Sequence, residues 1–286
     1  MASVGHALLG PWGEPIMWHA LLEVVFVGAA CGALGVWVVL YALSYSAESM
    51  AHAMFPGLAV AAIGALPLAL GGAAGLLVAG VAIALAARVK GVGADNAVAV
   101  VITGLLGVGA LLALSPASPP GLEALLFGDV LGAGTADLAL AGVLAALVLA
   151  GVWGAHWRLL TVGFDRAAAR SLGVPPLAVE LALLVLLALA VLVGVQGLGN
   201  LLVVAVLIAP AATARGLTRR LGPMIALAAA LGVAGGIGGL YLSYYVDVAT
   251  GAAIAGLLVL AFLAGELTRG GRRALSARRP VRAPLP

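Results

Sequence analysis

Residues 175–195, PPLAVELALLVLLALAVLVGV, carry one ionisable side chain, Glu180, in a run of leucine, valine and alanine. A helix needs about 20 predominantly apolar residues to cross a hydrocarbon core about 30 Å thick, and this window has that length. Working outward, similar windows lie at 17–43, 48–65, 68–88, 95–114, 135–158, 199–217, 223–245 and 250–267. Together they predict about nine membrane-embedded helices, or about eight if the short second or seventh segment does not fully span. Lipid offers no partner to backbone N–H and C=O groups, so a spanning chain must form helices or a closed barrel. Segments of about ten residues with alternating polarity, the mark of a barrel strand, do not occur. The sequence therefore specifies an all-α polytopic membrane protein: an N-terminal segment at 1–16, a transmembrane domain at 17–268 and a basic tail at 269–286.

Composition agrees. Of 286 residues, 64% are hydrophobic and 9% charged, against about 25% charged in soluble domains, and the mean hydropathy is +1.22. The 41 glycines suit helices that approach closely in lipid, without the three-residue period of collagen. Gly28 with Gly32, Gly71 with Gly75, and Gly232, Gly235, Gly236 and Gly239 read as helix contacts. A nucleotide-binding loop would need a strand before it. Cys31 is the single cysteine, which rules out an internal disulfide and disfavours a thiolate cage; it reads as a small packing residue.

The layout of charge says more than the net value of +3. No Lys or Arg precedes Arg88, whereas the tail holds Arg269, Arg272, Arg273, Arg278, Arg279 and Arg282. After a long apolar chain such a tail reads as a cytoplasmic anchor beside anionic lipid rather than a nucleic-acid contact. Arg88 with Lys90, Arg158 with Arg166 and Arg170, and Arg215 with Arg219 and Arg220 fall at every second junction, which marks those junctions and the C-terminus as cytoplasmic. The intervening stretches 115–133 and 246–249 have no basic residue and are expected to face outward. The start of the chain lacks the basic n-region of a signal peptide and reads as mature sequence.

Residues 48–57, ESMAHAMFPG, break the apolar pattern. Ionisable groups inside a membrane segment are costly and by default mark a transport path. Glu48 and His52 at i,i+4 share one helix face, with Cβ atoms about 5–6 Å apart. Carboxylate oxygen with imidazole nitrogen suits zinc, manganese or ferrous iron better than calcium or copper(I). Pro56 and Gly57 follow at once, and such a pair can interrupt a helix and free backbone carbonyls where it lines a cavity. From the residues alone, cation handling and a hydrogen bond buried within the helix both remain open. His19 and Glu23 repeat the spacing in the first helix, beside Trp12 and Trp18. They read either as interfacial residues or as ligands where an ion enters. His6 and His156 read as surface and interface residues. Gln196 and Asn200, flanking Gly197 and Gly199, form either a polar turn at the outer face or part of the path lining. Residues 164–173, FDRAAARSLG, predict a short cytoplasmic helix: Asp165 caps it, Phe164, Ala168 and Leu172 share a face, and Gly173 before Pro175 stops it.

The chain resembles the permease subunits of the zinc/manganese ATP-binding-cassette importers, the ABC-3 family. The likeness rests on LSYSAESMAHAMFPG at 43–57, LFGDVL at 126–131, FDRAAARSLG at 164–173, GNLLVVAVLIAPAATAR at 199–215 and SYYVDVATG at 243–251. These occur in the family's order from about residue 20 to 266. The resemblance implies a type II importer-like permease in the cell membrane, a second copy of itself enclosing the path, a cytoplasmic ATPase dimer, and an extracytoplasmic metal-binding protein. It also implies import as the direction. The family's metal-contacting Asp and His fall on Glu48 and His52, and its coupling helix on about 164–174. Two positions depart from the pattern: Glu48 stands where Asp is usual, and Tyr41 with Ala42 stand where Arg is common.

The expected function is thus transport of a divalent metal, zinc slightly ahead of manganese or iron, with no permanently bound cofactor. The chain itself carries no Walker Lys-[Ser/Thr] motif, so hydrolysis belongs to another subunit. Two rivals have sequence requirements of their own. A siderophore or corrin permease needs a wide path without a ligand pair, and an ion-coupled secondary transporter often shows an internal repeat.

Overall fold

The computed structural model describes residues 15–86, 89, 94–116, 118–119, 130–132, 134–200 and 202–277. In chain order the helices are α1 (Pro15–Leu40), α2 (Ser44–Ile63), α3 (Leu68–Ala86), α4 (Ala94–Ala113) and α5 (Thr135–Phe164). They continue as α6 (Arg166–Ser171), α7 (Pro176–Leu198), α8 (Val203–Leu217), α9 (Leu221–Val246) and α10 (Thr250–Ala277), with a 3-10 turn at Val130–Gly132. No strand occurs among the described residues. His6, Arg88, Lys90, most of LFGDVL and the end of the basic tail lie outside the described residues.

Each apolar window forms a helix, but fewer than the expected eight or nine qualify as spans by length and apolarity. Among the described residues six do: α1, α4, α5, α7, α9 and α10. Residues 68–83 of α3 and all of α8 are shorter apolar stretches. α2 has 20 residues, yet Ser44, Ser46, Glu48, Ser49 and His52 crowd its first half. Its surroundings explain that polarity, since Ala47, Ala51, Met54, Phe55 and Leu58 are all buried in protein. Conversely, α5 outruns its expected end at 158. Its 30 residues reach about 45 Å at 1.5 Å per residue, beyond a core of about 30 Å. α10 likewise continues to Ala277, through the expected start of the tail.

α1 is the hub, packed by α9, α8, α5 and α7. A Cβ on Gly28 would stand 2.7 Å from the Gly232 carbonyl carbon, and one on Gly32 would stand 2.8 Å from that of Ala228. Small residues on both helices therefore allow backbone contact, the packing that substitutes in lipid for a hydrophobic driving force. Gly235 and Gly239 of α9 abut Leu258 and Ile254 of α10, while Gly236 abuts Val24. Cys31 is buried in this core, its Sγ 3.8 Å from the Ala190 carbonyl oxygen. A second group forms where α3 and α4 pack on α2, with Gly57 of α2 against Gly71 and Gly75 of α3.

The α1–α2 turn lies at the same end of the bundle as the end of α5. Tyr41 donates to the Leu159 carbonyl oxygen at 2.7 Å, and Ala42 takes a left-handed φ of 57°. Burial, and then the charge of Glu180, push the Tyr41 phenol above its usual range, with Arg166 opposing. A phenol that keeps its proton keeps that bond. Tyr41 thus fixes the turn by a neutral contact at a position where the sequence offers no cation.

Candidate metal-ion site

The first half of α2 presents Glu48 and His52 on one face, with Nε2 of His52 3.9 Å from Oε1 of Glu48. Two ligand atoms at about 2.0–2.2 Å from one ion stand at most about 4.4 Å apart, so an ion fits between them. The Glu48 side chain is 56% exposed and that of His52 18%. One ligand is therefore open to an arriving ion while the other is held by protein. Among the described residues no three His, Cys, Asp or Glu side chains gather into a metal cluster. The pair is open, unlike a structural cage with four ligands.

α2 does not break at Pro56, as the sequence suggested; the helix continues to Ile63 with Pro56 inside it. Close packing of Gly57 on Gly71 and Gly75 holds the helix through this point. Proline still removes one ladder donor, the N–H that would reach the carbonyl four residues back. That carbonyl belongs to His52, so a candidate ligand residue also has a backbone oxygen with no ladder partner.

The other face of the His52 ring meets the α7–α8 turn. Nδ1 of His52 lies 3.3 Å from Nδ2 of Asn200, and Asn200 is 0% exposed. Gly199, at φ 82°, provides the left-handed bend that ends α7 and is open to glycine at little cost. Asn200 is thus packed inside the protein against a candidate ligand, as a lining position requires. The Gly-Asn dipeptide signalled a turn, but only the doubling back of α8 on α7, with Val203 against Gly194, brings it to His52.

Glu23 also comes to this turn, from α1. It is 3% exposed, and a Cβ on Gly197 would stand 3.0 Å from its carboxyl carbon. The Glu23 carboxylate is thus enclosed by protein, whereas His19 is only half-buried. His156 stacks edge-on against Trp37 and Trp157, with ring centroids 5.5 and 5.7 Å away.

At the far end of α5, Asp165 accepts from the backbone N–H groups of Ala167 at 2.7 Å and Ala168 at 3.1 Å, which starts α6. Gly173 at φ 75° and the bond from Val174 N–H to the Ala169 carbonyl at 2.9 Å stop it. Arg166 pairs with Glu180 and ties the segment to α7. Ala169 turns inward and is buried, while Phe164 is 92% and Leu172 71% exposed, and Ala168 is exposed between them. Phe164 ends α5, the extended Asp165 separates it from α6, and Leu172 caps the far end of α6, so exposed apolar side chains flank the short helix instead of sharing the single face expected from the sequence.

The chain as a whole is similar to known transport proteins. The sequence profile of the ABC 3 transport family matches residues 14–268. A probable iron transport system membrane protein of Haemophilus influenzae is 32% identical over 247 residues, 86% of this chain and 91% of that protein. The manganese transport system membrane protein MntC of Listeria innocua is 32% identical over 235 residues, 82% of this chain and 84% of its own length. Among solved structures, PsaBC from Streptococcus pneumoniae in complex with Fab superposes with a TM-score of 0.86 at 28% identity, covering 92% of this chain and 95% of that one.

Proposed function

Because the chain belongs to the ABC 3 transport family and is a metal-ion permease subunit whose ATPase is a separate chain, we propose that Glu48 and His52 hold the ion in transit. The observation that carries this is the 3.9 Å pairing of a half-open carboxylate with a protein-held imidazole on α2. The cargo is manganese or ferrous iron. Oxygen with imidazole nitrogen accepts both, and the two related proteins above are named for iron and manganese. That ordering puts zinc behind them, the reverse of the order expected at the sequence level. Family membership also displaces the siderophore and secondary-transporter readings.

Around this site the working unit is two copies of the chain, a cytoplasmic ATPase dimer and an extracytoplasmic binding protein, in a type II arrangement with eight or nine crossings. The C-terminus is cytoplasmic, on the side of Arg158, Arg166, Arg215 and Arg219. Phe164, Asp165, Ala168, Leu172 and Gly173 form the coupling segment: Asp165 and Gly173 shape the helix, and the exposed Phe164 and Leu172 seat in the ATPase.

Manganese uptake by proteoliposomes holding the complete transporter tests the ion site. His52→Ala deletes the nitrogen ligand and is expected to abolish uptake, and Glu48→Gln, which loses the anion, to fall close to it. Parental uptake in both variants at normal expression makes the pair structural. Leu172→Asp should reduce assembly or metal-stimulated ATP hydrolysis while membrane insertion stays intact. Unchanged coupling in that variant removes the docking role of this segment.

A further inference from the structure

We infer that Asn200 is a positioning residue of the ion site, whose amide oxygen holds the proton of His52 on Nδ1 and so turns the Nε2 lone pair toward Glu48 and the ion. The inference rests on the reading of Glu48 and His52 as ligands and concerns a residue in the turn between α7 and α8.

The geometry divides the ring into two sides. Nε2 faces Glu48 at 3.9 Å, and Nδ1 faces the Asn200 amide at 3.3 Å. A neutral imidazole carries one proton, on one nitrogen or the other. When the Asn200 NH2 donates to Nδ1, the proton sits on Nε2 and blocks the position between Nε2 and Glu48. When the amide oxygen faces Nδ1, the proton sits on Nδ1, and Nε2 is free to bind. A half-turn of the amide exchanges the two arrangements without changing its outline.

Binding of an ion through Nε2 selects the arrangement with oxygen facing Nδ1. With the NH2 toward His52, Oδ1 of Asn200 is buried without a hydrogen-bond partner; the half-turn gives that oxygen the Nδ1–H of His52 and carries the NH2 to the place the oxygen leaves, so burial by itself does not separate the two arrangements. A metal-bound histidine does separate them, because it almost always donates its second ring N–H to an oxygen acceptor, which fixes tautomer and ring orientation. Asn200 is where that acceptor has to be, and its complete burial keeps water from substituting for it.

The test is manganese uptake by the complete transporter in proteoliposomes, read as KM for the ion against maximal rate. Loss of such an acceptor typically costs about 10–100-fold in metal affinity, so Asn200→Ala should raise KM by that factor with the maximal rate little changed. Asn200→Asp keeps an acceptor and has no donor, so it should restore a KM at or below the parental value. An unchanged KM in Asn200→Ala overturns the inference. So does an Asn200→Asp variant with a raised KM, because the NH2 would then be the group that matters. The nitrogen-15 spectrum of histidine-labelled, zinc-loaded parental protein, with His52→Ala for assignment, gives a readout independent of how the variants fold. A protonated, hydrogen-bonded Nδ1 on His52 is expected there, and coordination through Nδ1 overturns the inference. If His52→Ala itself transports at the parental rate, the ligand reading fails and this inference with it. If His52→Ala is dead while both Asn200 variants keep the parental KM, only the role of Asn200 fails.

Discussion

The chain carries the same spacing of His and Glu twice, at His19/Glu23 in α1 and at Glu48/His52 in α2, and the fold treats the two pairs differently. In α1 the carboxylate is the buried member, at 3% exposure and pressed on Gly197. In α2 the imidazole is the held member and the carboxylate is half open. The cause is the position of each helix. α1 is the hub, packed by four other helices, whereas α2 packs on α3 and α4 and brings His52 to the α7–α8 turn. An i,i+4 pair thus says that two side chains can meet; whether an ion can reach them is decided by what the helix packs against.

The largest expected effect comes from making one chemical change at both carboxylates. Glu48→Gln should lose most manganese uptake, because an anion open to the path is removed. Glu23→Gln should keep most uptake, since it preserves the shape and one carbonyl oxygen of a buried group packed on Gly197. Equal loss in the two variants would break the comparison and make α1 part of the path.

A smaller effect is expected in stability, at the contact that buries Glu23. At Gly197 an added Cβ lands on the Glu23 carboxylate, so Gly197→Ala should destabilise the detergent-solubilised protein by about 1–3 kcal/mol, the usual range for overpacking. Gly80→Ala in α3 is the control, because a Cβ there meets nothing within 4 Å and a helical Gly→Ala change favours the helix by up to about 1 kcal/mol. Thermal denaturation should lower the midpoint for the first and leave or raise it for the second. Similar midpoints would mean that α1 and α7 are looser around Glu23 than their contact implies.

Much of this was legible in the sequence because lipid imposes strong rules. Long apolar windows had to become helices, glycines at Gly28, Gly32 and Gly232 had to be contacts, and an Asp165 cap with a Gly173 stop bounded α6, although Phe164 went to the end of α5. What escaped was tertiary. Nothing local distinguishes a turn such as Gly199-Asn200 at a bundle surface from one folded inward against His52. The burial of Glu23 depends on Gly197, far along the chain. Pro56 misled for the opposite reason: its local effect on the ladder is present, but the packing of Gly57 on α3 outweighs the tendency to break.

The smallest effect expected is that of Glu48→Asp, and it sharpens the comparison most finely. The change keeps the charge and both oxygens and shortens the arm by one methylene, so the ion remains attracted while the 3.9 Å span to Nε2 of His52 must be re-made by small shifts in side-chain rotamer. Because Glu48 is half exposed, its side chain has room for such shifts, and transport should survive. A change of a few-fold in KM for manganese is about 1 kcal/mol or less, with the ratio of manganese to zinc uptake moving alongside it because the two ions differ in preferred ligand number and geometry. Parallel KM measurements for both ions in the complete transporter provide the check. Complete loss of uptake in Glu48→Asp, at normal expression, would mean that the exact reach of the carboxylate is required, and the site would then be a rigid cage rather than the open pair that its exposure indicates.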